Sequence, residues 1–183
     1  MSWLTTYTKK HIYLSNISES SVCLEDIAQG LSNECRYAGQ IQQFYSVAEH
    51  SVLVSKLVEP EFALEALLHD ATEAYLKDLP SPLKAMLPEY QKLERQLYVV
   101  IADKFGIPHE TSAAVKQADL ALLATERQQL EIAGDEYWPC LNGVNPVEWL
   151  VIIPFTPIQA RCRFLARFHE LTNFSHIPLY GTE

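Results

Sequence analysis

The stretch Ala66-Leu67-Leu68-His69-Asp70-Ala71-Thr72-Glu73 decides how the rest of the chain is read. Two adjacent ionisable side chains follow an apolar run with helical composition. A charge buried there without a partner is expensive, and a bound cation removes that cost. The pair therefore reads as metal ligation. Residues three and four apart share a helix face, so Glu73 is expected one turn beyond His69 and Asp70, as an acid or base beside the ion.

Two residues from other predicted helices complete the pattern. His50 falls within a helix predicted from about Ser46 to Val58, on the stripe of Val47, Leu53, Val54 and Leu57. Asp119 falls within one capped by Thr111 or Ser112 and running to about Gly134; Val115, Leu122 and Leu123 flank it, so its carboxylate is expected to face inward. Taken singly, each has an ordinary reading: a packed histidine, an aspartate paired with Lys116, a solvated Glu73. Taken together, His50, His69, Asp70 and Asp119 describe a mononuclear centre of two imidazoles and two carboxylates. Such a donor set suits manganese, cobalt, nickel, iron or zinc. His109 is the single histidine between Asp70 and Asp119, which argues against a second ion, and His11, His169 and His176 have no ligand-like spacing.

Working outward, Leu24, Ile27, Ala28, Leu31 and Cys35 recur at helical spacing, and that helix is expected to end at Arg36-Tyr37-Ala38-Gly39. One continuous helix is expected over Glu61 to Leu76, carrying the His-Asp pair, with a loop at Asp78-Leu79-Pro80-Ser81-Pro82. Leu93 to Phe105 predicts a helix stopped by Gly106. From Asp135 to Pro154 the period fails; Asn142-Gly143 signals a turn and Val147 to Ile153 a strand, hence a short hairpin near 140–154. Thr156-Pro157-Ile158-Gln159 has the chemistry of a capping box opening a last helix. The class is all-α, a compact multi-helix bundle in one domain spanning 1–183, with its core at about 24–172 and a frayed tail.

Composition narrows the function. The 183 residues carry 14 Lys and Arg against 23 Asp and Glu, a net charge of -9, which argues against sequence-independent binding to duplex nucleic acid. Cys23, Cys35, Cys140 and Cys162 form no CxxC pair, and no leader or spanning segment is evident, so a reduced, cytoplasmic protein is expected.

These residues resemble the HD superfamily of metal-dependent phosphohydrolases, whose pattern is a histidine, a His-Asp pair and a distal aspartate. The likeness covers roughly residues 24 to 130. Through His69-Asp70-Ala71-Thr72-Glu73, Asp78-Leu79-Pro80-Ser81-Pro82-Leu83-Lys84 and Ala118-Asp119 the chain is similar to bacterial HD-domain 5'-deoxynucleotidases. Through Leu24-Glu25-Asp26-Ile27-Ala28 and Tyr45-Ser46-Val47-Ala48-Glu49-His50-Ser51-Val52 it resembles small phage and bacterial HD hydrolases, among them dATP triphosphohydrolases.

The resemblance implies an HD-domain bundle that hydrolyses deoxynucleotide phosphate esters, releasing deoxynucleoside with phosphate or triphosphate. It implies Glu73 and Asp70 in catalysis, Arg36 on the phosphate and Asp78 near the deoxyribose. It also implies a homo-oligomer, in a bacterial cytoplasm or, if phage-encoded, that of the host. Tyr37 stands where the deoxynucleotidases tend to have tryptophan, and Lys77 where a small residue is common. Lys77 and Lys84 are weaker phosphate candidates whose ordinary reading is a solvated surface; Tyr37, Phe44 and Tyr45 are candidates to stack on a base. The alternatives are an HD phosphodiesterase acting on another nucleotide and a metal-binding protein without turnover.

Overall fold

The structure is a computed structural model that describes residues 2–132, 134 and 136–173. The tail expected to fray, His176 within it, and Asp135 at the start of the irregular segment lie outside the described residues. The chain is all-α apart from a small antiparallel pair, β1 (Leu4–Thr5) and β2 (His11–Ile12). Helices follow in the order α1 (Leu24–Asn33), α2 (Val47–Val54), α3 (Ala63–Leu68), α4 (Glu73–Leu76), α5 (Ser81–Lys84), α6 (Pro88–Phe105), α7 (Ala113–Gln129) and α8 (Pro157–Asn173). Among the described residues, no helix is long and apolar enough to cross a membrane.

Short α2 is the centre of the bundle, packed against α1, α3, α7 and α8. The sequence suggests a one-sided stripe, but Val47, Ala48, Glu49, His50, Ser51, Val52 and Val54 are all buried. Ser46 caps its start, accepting from the Glu49 N–H at 3.2 Å. Arg167 of α8 closes its end, donating from Nε to Ser55 Oγ at 3.0 Å and from Nη2 to the Ser55 carbonyl at 2.8 Å. Glu49 reaches the other way and accepts from the Phe155 N–H at 3.1 Å. Two apolar clusters meet here: one joins Ile27, Leu31, Leu67, Leu68, Leu97, Ile101 and Phe164, the other Tyr45, Val54, Ala66, Val115, Leu122 and Ile152.

The helix expected over Glu61 to Leu76 is interrupted. Between α3 and α4 the chain tightens into turns in which Ala71 N–H bonds Leu68 O and Glu73 N–H bonds Asp70 O, each at 3.0 Å. The cause is local: the Ala66 carbonyl, which a continuing helix would offer to Asp70 N–H, accepts instead from His69 Nδ1 at 2.8 Å. The His-Asp pair therefore stands on a turn, not inside a helix. Downstream, α4 ends at Lys77, whose φ of 79° and ψ of 151° suit glycine and cost a larger residue about 1–3 kcal/mol. Lys77 Nζ binds Glu34 at 2.7 Å and its carbonyl accepts from Tyr90 OH at 2.8 Å, contacts that hold the turn. Pro82 does not prevent helix; it occupies the first turn of α5, where its missing N–H costs nothing.

Other boundaries shift modestly. The fourth predicted helix begins earlier, with Pro88 at its first position, and stops as expected at Gly106, left-handed at φ 69°. Ser112 caps α7, which ends at Gln129 instead of Gly134. The capping box at Thr156 forms: Thr156 N–H reaches Gln159 Oε1 at 3.0 Å while Gln159 N–H reaches Thr156 Oγ1 at 3.4 Å.

The hairpin expected near 140–154 is absent from the described residues. Asn142-Gly143 does turn the chain, with Gly143 at φ 74° and Val144 N–H on Leu141 O. Trp149, Val151 and Ile153 are exposed while Ile152 is buried, the alternation of a strand. Yet the partner is a helix side chain: Gln129 donates to Leu150 O at 2.7 Å and accepts from Ile152 N–H at 2.8 Å.

Candidate metal centre

Three segments bring the four expected ligands together. His50, fully buried, comes from the middle of α2; His69 and Asp70 come from the turn after α3; Asp119 comes from α7. Ligand atoms of His50, His69 and Asp119 lie within 4.8 Å of one another and could hold a metal ion. Asp70 Oδ2 stands 3.2 Å from His69 Nε2 and 3.7 Å from His50 Nε2, and Asp119 Oδ1 lies 3.0 Å from His50 Nε2. Asp119 is not drawn into the core as expected; its side chain is 38% exposed and forms the open side of the centre.

Hydrogen bonding orients both rings the same way. His50 Nδ1 donates to Glu126 Oε1 at 2.7 Å, and His69 Nδ1 donates to the Ala66 carbonyl at 2.8 Å, assignments made from the partners each nitrogen meets. Both protons belong on Nδ1, so both Nε2 lone pairs face the carboxylates. Neither buried Nε2 makes a hydrogen bond, despite the short separations. Two aimed lone pairs beside two carboxylates fit a divalent ion with mixed nitrogen and oxygen ligation.

The carboxylates that would hold an ion at His50 Nε2 also favour a proton there when no ion is present. Burial and the nearby Arg36 charge each oppose protonation of His50, but Glu126 and Asp119 outweigh both and lift its pKa to about 9. That same negative potential draws a cation. Burial would raise Asp70, yet His69, His50 and Arg36 hold its carboxyl well below the usual range. Glu73 goes the other way: burial, then Asp70 and Asp78, push its carboxyl well above the ordinary value. Its Oε2 has no hydrogen-bond partner, and its Oε1 lies 3.8 Å from Lys84 Nζ. The surroundings thus drive the two carboxyl groups apart, Asp70 toward its ionised form and Glu73 toward its protonated one.

A cavity of about 630 Å³ opens from the centre, lined by His69, Asp70, Glu73, Lys84, Tyr98 and Asp119 among others. Its size falls in the range of small-molecule sites, roughly 300–1,000 Å³. His109 stands at its outer part, in a loop, with Nε2 on Asp103 at 2.7 Å.

The remaining sequence candidates divide. Lys84 is at the site and only partly exposed, paired with Glu94 at 2.8 Å, so the solvated-surface reading fails for it. Lys77 is not at the site; its side chain is 60% exposed and bound to Glu34. Asp78 is close enough to raise Glu73, and burial in turn raises Asp78 itself. Arg36 lies beyond the end of α1, in a loop closed by a bridge between Cys35 and Ser46. Its Nη1 is 3.8 Å from Asp70, while Nε and Nη2 each lie 3.2 Å from Glu126 Oε2. Tyr37 donates its hydroxyl to Glu126 and presents its ring to Arg36, with 5.2 Å from guanidinium to ring centre. Tyr45 is fully buried, its hydroxyl on Glu126 at 2.9 Å, and so is core and not a base-stacking surface.

Glu126 stands against both His50 and Arg36, and sequence reasoning missed it. It is fully buried, and Arg36 and His50 hold its carboxyl down at about 2 against the opposing effect of burial. A signal existed: Glu126 follows Asp119 by two helical turns, on the same face of α7.

No family model matches the chain. It is 46% identical over 172 residues to YfdR of Escherichia coli (strain K12), covering 94% of this chain and 97% of that protein. It is 32% identical over 188 residues to a protein of Rhodobacter capsulatus, covering 93% and 95% respectively. Both relatives carry the description uncharacterized.

Proposed function

This chain belongs to the family of Escherichia coli YfdR, and we propose that it is a metal-dependent phosphohydrolase of the HD type acting on deoxynucleotides. The observation that carries the reading is the pair of buried, unbonded Nε2 atoms, each oriented through its own Nδ1, converging with Asp70 and Asp119. His50, His69, Asp70 and Asp119 would hold the ion, with manganese, cobalt, nickel, iron and zinc all compatible. When bound, a divalent ion polarises a phosphoryl oxygen and brings water toward deprotonation near neutral pH.

The chain's own groups do the rest. As water bonds to phosphorus and the bond to the 5'-oxygen breaks, Glu73, held toward its protonated form on the cavity wall, would give its proton to the departing oxygen and regain one from the water that attacked; such transfer typically contributes about 10²- to 10⁴-fold. Arg36, charged beside Asp70, and Lys84 offset negative charge that develops on the phosphoryl oxygens. By the resemblance, Asp78, near enough to Glu73 to raise it, would lie toward the deoxyribose. In a chain of net charge -9, attraction of a polyanionic substrate is local to these groups.

The test is phosphate and triphosphate release from dAMP and dATP, side by side, with added manganese or cobalt. Hydrolysis by the wild type that is lost in Asp70→Ala supports the reading. Tight ion binding with no hydrolysis across a nucleotide panel would overturn it.

A further inference from the structure

We propose that Glu126 is the positioning residue that locks the metal side and the phosphate side of the centre into one unit. The proposal rests on the reading that the centre holds a divalent ion. Glu126 touches neither the ion's ligand atoms nor the cavity; it acts through His50 and Arg36.

The argument is one of acceptors and donors. A carboxylate only accepts, and Glu126 divides its two oxygens between two tasks. Oε1 receives His50 Nδ1 at 2.7 Å and Tyr45 OH at 2.9 Å. Oε2 receives Arg36 Nε and Nη2, each at 3.2 Å, and the Tyr37 hydroxyl. The first task keeps the His50 proton on Nδ1 and its lone pair on Nε2. The second sets the guanidinium with Nη1 toward Asp70. His50 and Arg36 come from different elements, and this side chain from a third joins them.

A glutamine of the same shape cannot do both. Its amide has one accepting oxygen and one donating nitrogen, so either His50 or Arg36 must face a donor. The buried guanidinium carries a full charge and claims the oxygen. The amide nitrogen then faces His50 Nδ1, which becomes the acceptor, and the imidazole proton moves to Nε2, where the ion would bind. Tyr45→Phe is the contrasting change: it removes one donor from Oε1 and leaves the carboxylate, His50 and Arg36 in place.

The experiment is calorimetric titration of Mn²⁺ into wild type, Glu126→Gln and Tyr45→Phe, each checked for folding by circular dichroism. Expected is a loss of about 10- to 100-fold in affinity for Glu126→Gln, the usual effect of removing a partner that orients a ligand, and little change for Tyr45→Phe. Undiminished affinity in folded Glu126→Gln would overturn the proposal. A second measurement needs no variant: nitrogen NMR of the Zn²⁺-loaded wild type should show His50 protonated at Nδ1 and ligated through Nε2. Ligation through Nδ1, or no uptake of either ion, overturns the proposal. Neither measurement involves hydrolysis, so an idle enzyme that binds Mn²⁺ normally would sink the proposed activity and leave the role of Glu126 standing.

Discussion

Glu73 is 6% exposed, has one unbonded oxygen and is pushed toward its protonated form, the state that the proposed proton transfer requires. Glu73→Gln keeps the shape and loses the transferable proton. Steady-state assays should show kcat down by about 10²- to 10⁴-fold while Mn²⁺ affinity holds; a variant with full turnover would remove Glu73 from the chemistry. At this scale, the clustering of His50, His69 and Asp119 was legible in sequence because an adjacent His-Asp pair in an apolar run has few inexpensive explanations. Glu126 was hidden because one glutamate on a charged-looking helix face carries no sign of burial. The aromatic candidates misled for a related reason: Tyr45 looks the same in sequence whether its hydroxyl meets solvent or, as here, a buried carboxylate.

Elements show a different division. Starts and stops encoded by local chemistry, such as Ser46, Ser112, the Thr156 box and Gly106, fall where the sequence puts them. The break between α3 and α4 does not, since it depends on a side chain taking a carbonyl from the helix ladder, which periodicity cannot register. One close approach makes the position of α4 testable. A Cβ placed on Gly30 of α1 would lie 2.6 Å from the Ala74 carbonyl oxygen and 2.7 Å from its Cα, backbone that cannot swing aside. Alanine ordinarily favours a helix interior over glycine by roughly 0.5–1 kcal/mol. Here overpacking of about 1–3 kcal/mol or more outweighs that gain. Gly30→Ala should therefore melt several degrees lower than wild type in a thermal scan, with reduced turnover because α4 carries Glu73. An unchanged or raised melting temperature would mean the two helices are not so close.

For the molecule as a whole, Asp26 ties the loop of the β1–β2 pair to α1, accepting from Thr8 N–H at 2.7 Å, Thr8 Oγ1 at 2.8 Å and Cys23 Sγ at 3.0 Å. Burial raises its carboxyl, but these hydrogen bonds win and hold the pKa below its ordinary value. A group lowered on folding stabilises above its unfolded pKa, about 3.9, and loses that contribution as pH falls through the folded value. Asp26→Asn should accordingly melt below wild type at neutral pH, with the gap closing under acid. Melting curves that stay parallel from pH 7 to about pH 3 would deny Asp26 this role. The all-α bundle class was readable from helical periods; the run from 147 to 152 was not, because Val147, Leu150 and Ile152 bond to Thr125 and Gln129, distant side chains that no local pattern announces.

The clamp of Arg167 on Ser55 also bears on how the protein is made. A nascent polypeptide leaves the ribosome N-terminus first. His50, His69, Asp70 and Asp119 all emerge well before the residue that seals the far end of the helix holding His50. A growing chain that has already exposed these four residues therefore still lacks the contact that fixes the His50 helix, and gains it only once Arg167 has followed them out.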